Sequence, residues 1–227
     1  MTRQYPLPLP HREALAADDF FVTNSNREAL GWIDKWPDWP APCLTIYGPA
    51  GSGKTHLAHV WQERSRAKFV APENISRDQV GTLVMTNNII AIDNAGAVAG
   101  NPAREQGLFH LYNIVRETKG WLLLTARLAP AQWRIGLPDL RSRLLAAPAI
   151  ALGAPDDELL SALMLKQFGD RQLAVGADVI DFLLPRLTRT PEAIRDIVSA
   201  LDRASLAESR GITVSLARRI LESMNAS

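Results

Sequence analysis

Residues 43–65 read CLTIYGPAGSGKTHLAHVWQERS. The apolar run at 43–47 has the length of a buried strand, and residues 48–55 fit G-x-x-x-x-G-K-[ST] in full. The spacing from Thr55 onward predicts an amphipathic helix. Strand, glycine-rich turn and helix in that order make a cradle for phosphate. Glycines are needed because backbone N–H groups wrap around anionic oxygens where side chains would clash. Gly48, Ala50, Gly51, Ser52, Gly53 and His56 are expected to line the cradle. Lys54 is expected to set its charge against the β- and γ-phosphates, and Thr55 to offer its hydroxyl to Mg2+. A chance glycine-rich turn is the alternative, and the flanking strand and helix argue against it.

A second strand, IIAID at 89–93, delivers Asp93 to its carboxyl end, the natural position for a Mg2+ partner. The alternative is a surface aspartate capping a turn. Asn94 follows where many ATPases carry a second acid to orient the attacking water. An amide cannot take up that proton.

Outward from these motifs, KFVA (68–71) and WLLLT (121–125) read as further strands. Helices are predicted at 26–36, 103–118 and 138–146, the last opened by its proline. Strands that are apolar throughout, alternating with helices, predict an α/β fold with a parallel sheet covered on both faces. From Pro155 the pattern is helical only, which predicts a small all-helical second domain. Residues 1–17, with PLPLP, read as an extended tail. The expected boundaries are therefore 1–17, 18–154 and 155–227.

The net charge of +1 provides no overall field for nucleic acid. The helical segment holds nine Lys/Arg and eleven Asp/Glu. A DNA-reading helical domain would be basic. The single cysteine, Cys43, excludes an internal disulfide and fits a reducing compartment. No signal-peptide pattern and no span of membrane-crossing length is legible, so a soluble cytoplasmic protein without a membrane partner is expected.

The chain resembles the AAA+ ATPases of bacterial replication initiation, and in particular the Hda-type relatives of the initiator DnaA. GPAGSGKTHL and IIAIDN match the two nucleotide motifs of that family, and EQGLFHLYN (105–113) is similar to the helix after the second. GLPDLRSRL (136–144) resembles the arginine-finger segment, and LDRASL (201–206) the lid. DDFFVTNSNREAL (18–30) resembles the adenine-side opening, which implies nucleotide contacts from Val22 and Asn26. QYPLPL (4–9) resembles a peptide that docks on the sliding clamp, with Gln4, Leu7 and Leu9 as anchors. An ordinary proline-rich tail remains open there.

The resemblance implies an AAA+ P-loop NTPase domain with a helical lid, ADP or ATP and Mg2+ as ligands, and DnaA and the clamp as partners. Arg143 is implied as a finger acting in trans on ATP held by DnaA, and Thr125, in LLLTAR, as the first-sensor residue. Arg195 either replaces the second-sensor arginine, since Glu192 stands at that position, or is a surface arginine. Arg127 stands where DnaA has an aspartate. With the chain ending at Ser227, after the lid, no DNA-reading helix-turn-helix domain and no sequence-specific DNA binding is expected; self-association stays open. The implied function is negative regulation of replication initiation, with weak hydrolysis at the chain's own site. Two alternatives stand beside it: a self-sufficient AAA+ ATPase such as a helicase loader, and a non-enzymatic scaffold for clamp or DnaA.

Overall fold

The computed structural model describes residues 21–208 and 210–225. The peptide at 4–9, with Gln4, Leu7 and Leu9, lies outside them. Contacts group residues 25–153 into one compact unit, and residues 21–24 with the described residues from Ala154 onward into another.

The first unit is a five-stranded sheet, all parallel, in the order β2-β3-β4-β1-β5. Its strands are β1 (Cys43–Tyr47), β2 (Lys68–Val70), β3 (Ile89–Ile92), β4 (Trp121–Ala126) and β5 (Ala149–Ala151). Leu44, Ile46, Ile90, Ile92 and Leu122–Leu124 are wholly excluded from water, so both faces of the central strands are covered. The register pairs Ile46 with Thr125 and Ile92 with Leu124. It thereby brings the carboxyl ends of β1, β3 and β4 to one level, where open α/β sheets bind ligands.

The helices of this unit are α1 (Arg27–Asp34), α2 (Lys54–Ser65), α3 (Arg77–Thr86), α4 (Pro102–Glu117) and α5 (Pro138–Ala146). Asn101 caps α4, its side chain accepting from the Arg104 N–H at 3.2 Å, and Pro102 holds the first helical position. Two elements escape the sequence patterns. In α3 only Val80 and Val84 are buried, too few to write a helical stripe. β5 is three residues long and pairs on one side only.

The six tryptophans all lie between residues 32 and 133, in this unit. Trp39 stacks on Trp61 at 5.5 Å and meets Trp121 edge-on at 5.7 Å, and Trp36 meets Trp61 edge-on at 6.1 Å. Such pairs add about 0.5–1.5 kcal/mol each beyond the area they bury.

The second unit holds α6 (Asp157–Asp170), α7 (Ala177–Leu183), α8 (Pro191–Glu208) and α9 (Val214–Asn225). Asp156 caps α6 by accepting from the Leu159 N–H at 2.9 Å, and Thr190 caps α8 by accepting from the Ala193 N–H at 3.2 Å. Ile194, Ile197, Val198 and Leu201, at helical spacing, form one buried face of α8 in a cluster with Met164, Phe168 and Leu183. Within this helical stretch α7 stops at Leu183, and the chain tightens into a 3-10 turn, Leu184–Arg186, around Pro185. Among the described residues no helix is long and apolar enough to cross a membrane.

Candidate functional site

The loop from Gly48 to Gly53 leaves β1 and enters α2. The Gly48 N–H donates to the Ala126 carbonyl at 3.1 Å, which ties the loop to the end of β4. A Cβ on Gly48 would lie 2.1 Å from the Leu152 carbonyl oxygen, so the chain passes here only without a side chain. Gly51 and Gly53 hold φ of +73° and +94°, in the left-handed region where glycine carries no steric penalty. Gly53 is the residue before α2, so the amino-terminal end of that helix, the positive end of its dipole, opens onto the loop.

Lys54 Nζ donates to the Pro49 carbonyl at 2.6 Å and to Ser52 Oγ at 3.2 Å, bending back over the loop. Burial holds its ammonium below the usual lysine range; the Asp93 charge opposes this and the Arg127 charge reinforces it. Ser52 is buried, whereas Thr55 and His56 are exposed at the start of α2.

Asp93 collects two hydroxyls. Thr55 Oγ1 donates to its Oδ2 at 2.9 Å, and Thr125 Oγ1, on the neighbouring strand β4, donates to its Oδ1. The Thr125 oxygen in turn accepts from the Asn94 N–H at 3.0 Å. Thr125 is 1% exposed, so its geometry is fixed by the sheet. A threonine hydroxyl beside a carboxylate, both hard oxygen donors, suits Mg2+, which commonly takes one or two protein oxygens and completes its shell with phosphate and water. Asn94 turns with φ of +54°, a conformation asparagine tolerates, and its side chain is exposed. No carboxylate stands at that position.

On α5, Leu140 and Leu144 anchor the helix in the core. Arg141 is exposed, whereas Arg143 is half-buried, its guanidinium 4.8 Å from the Phe109 ring and 5.5 Å from the Tyr112 ring, both on α4. Burial raises the Tyr112 hydroxyl above its usual range, as does the neighbouring Cys43, while Arg143 and Arg116 act the other way. No sequence motif singles out these two rings; their three-residue spacing, on one face of α4, is the available signal.

The structure thus gathers Gly48–Thr55, Asp93 and Thr125. Asn26 is buried and precedes α1, its carbonyl accepting from the Leu30 N–H at 2.9 Å. Val22 and Arg195 belong to the other unit, where Arg195 is exposed on α8 one turn after exposed Glu192.

Known proteins resemble the chain in several ways. Residues 156–221 match the family described as Hda, lid domain. An uncharacterized protein of Haemophilus influenzae is 28% identical over 97% of this chain and 99% of its own length. Domain III of the Thermotoga maritima replication initiation protein DnaA has a similar fold, with a TM-score of 0.75 and 18% identity over 90% of this chain and 94% of that one. AMPPCP-bound DnaA from Aquifex aeolicus superposes with a TM-score of 0.67 and 18% identity, over 80% of this chain and 63% of that one. The Thermotoga maritima Holliday junction branch migration motor RuvB gives 0.71 at 15% identity, over 91% and 71%.

Proposed function

We propose that the chain is an Hda-type, DnaA-related AAA+ protein, a reading supported by the lid match at residues 156–221 and the fold shared with DnaA domain III, and that it restrains replication initiation by acting on the ATP held by DnaA. It binds ADP or ATP at Gly48–Thr55. Thr55 and Asp93 hold Mg2+, which when bound neutralises charge on the β- and γ-phosphate oxygens. Thr125 fixes the Asp93 carboxylate, and Lys54 exchanges its loop partners for phosphate oxygens. Arg143 reaches the nucleotide of DnaA in trans, where a guanidinium neutralises charge on the departing phosphoryl group. Such a finger raises turnover by about 10³–10⁵. Residues 4–9 dock on the sliding clamp.

One observation carries this reading. The binding half of the site is assembled around Asp93, yet the next residue is the exposed amide Asn94 rather than an acid. A site built to bind and poorly equipped to hydrolyse suits a protein that completes a partner's active site. In support, AMPPCP is named as the ligand of a DnaA with this fold.

The test is hydrolysis of DnaA-bound ATP with clamp loaded on DNA, with and without this protein. Stimulation by wild type, lost with Arg143→Ala and weakened by removing residues 1–10, is the expected result. Rapid turnover by the chain alone would favour a self-sufficient ATPase. Full stimulation by Arg143→Ala would favour a scaffold.

A further inference from the structure

Glu105, on the first turn of α4, is 3% exposed and its carboxylate is fully engaged with backbone. Oε1 accepts from the Gly100 N–H at 2.8 Å, and Oε2 accepts from the Gly136 and Leu137 N–H groups, each at 2.9 Å. Gly100 ends the turn that follows Asp93 and Asn94. Gly136 and Leu137 are the last residues before α5, the helix that carries Arg143. One buried side chain therefore ties the segment after the strand-end acid to the root of the arginine helix, across thirty-one and thirty-two positions of sequence.

The same face of α4 continues toward Arg143. Phe109 and Tyr112 follow Glu105 by four and seven residues, the spacing that stacks side chains along one helical stripe. Their rings receive the Arg143 guanidinium. The stripe thus grips α5 at its entry and at the arginine itself. Three charge-assisted bonds from one carboxylate to backbone are stronger and more directional than neutral ones. Burial at 3% exposure and these three bonds commit the side chain to the protein rather than to solvent.

We propose that Glu105 is a positioning residue for Arg143, and that Phe109 and Tyr112 complete the seat. Glu105 sets the position of α5 relative to the turn after Asp93, and the rings fix the direction of the guanidinium. The inference rests on Arg143 being the group that acts on a partner, as proposed above. It adds that the finger's geometry is written on α4 and linked through Gly100 to the chain's own nucleotide-side strand.

Glu105→Gln is the discriminating variant. Its amide keeps one acceptor oxygen and turns a donor toward at least one of the three N–H groups. Stimulation of DnaA-bound ATP hydrolysis should fall about tenfold or more, while the chain's own nucleotide affinity stays within about threefold. In an Arg143→Ala background the same substitution should cost nothing further, because the two residues act as a unit. A merely structural defect would lower nucleotide affinity and persist in that background. Amide hydrogen exchange gives a readout independent of DnaA: protection at Gly100, Gly136 and Leu137 should fall together in Glu105→Gln. If wild type fails to stimulate, the regulator reading fails, and exchange at those three amides alone decides whether Glu105 joins the two segments. Should Glu105→Gln fail to fold, Phe109→Leu tests the seat instead, with loss of stimulation expected at unchanged nucleotide affinity. Wild-type stimulation by Glu105→Gln, unchanged protection of the three amides, or wild-type stimulation by Phe109→Leu would overturn the proposal.

Discussion

The hydroxyl of Thr55, at the start of α2, donates to Oδ2 of Asp93, at the end of β3, across 2.9 Å. Two elements thus bring adjacent hard oxygens to the mouth of the phosphate loop. Asp93→Asn keeps the shape and removes the charge, so the gain in nucleotide affinity conferred by Mg2+ should shrink by about tenfold or more. Titrations with Mg2+ and with a chelator measure it, and an undiminished Mg2+ effect would remove Asp93 from the metal site.

Lys54→Ala takes away the ammonium that bends over the loop. Nucleotide affinity is expected to drop at least about tenfold, or about 1.4 kcal/mol. Calorimetry with ADP and ATP reads this directly; unchanged affinity would defeat the phosphate-cradle assignment.

Asn94 offers no base, so the isolated chain should turn over ATP more slowly than about 1 s⁻¹, the low end of ordinary enzyme rates. Asn94→Glu should raise that rate. A fast wild type would contradict the reading of this position.

Arg143→Ala should remove most of the stimulation of DnaA, a loss on the scale of about 10³ or more. Because Arg143 lies against Phe109 and Tyr112, the same change should also cost this protein about 0.5–1 kcal/mol of stability. Arg143→Lys should restore little stimulation, since an ammonium lacks the planar fork. Arg141→Ala, at an exposed site facing elsewhere on the helix, should do less on both measures. The reverse ranking would reassign the finger.

Cys43 is wholly buried, and burial pushes its thiol from the ordinary value of 9.0 up to about 12. The unfolded chain releases this proton near the lower value and the folded chain near the higher. Its contribution is intact below the unfolded value and declines as pH rises between the two. Cys43→Ala should therefore flatten the alkaline fall in stability relative to wild type, as read from denaturant midpoints. Parallel curves for the two proteins would contradict this.

The glycine turn between β1 and α2, the strands of the sheet centre and the helical stretch after Pro155 were legible because each carries a local signature: an exact motif, an unbroken apolar run, a capped periodic stripe. Asp93 was legible for the same reason. α3 and β5 were not, since one buries two side chains and the other has three residues, and tertiary packing rather than pattern defines both. Glu105 lies inside EQGLFHLYN with no local feature that sets it apart. Nothing local marks a glutamate whose three partners are backbone N–H groups, two of them more than thirty residues away. Thr125 came from resemblance, and only the register of β3 and β4 explains how it reaches Asp93.

The confinement of every tryptophan to residues 32–133 has a spectroscopic consequence. Intrinsic tryptophan emission arises from the sheet unit, through the stacked indoles of Trp39 and Trp61 among others, and the four helices from α6 to α9 hold no indole. Far-ultraviolet dichroism sees both units. Denaturation followed by the two signals together therefore separates loss of the helical unit from loss of the sheet. Coincident transitions mean the two melt as one cooperative body, and dichroism that falls before emission shifts means the lid lets go first.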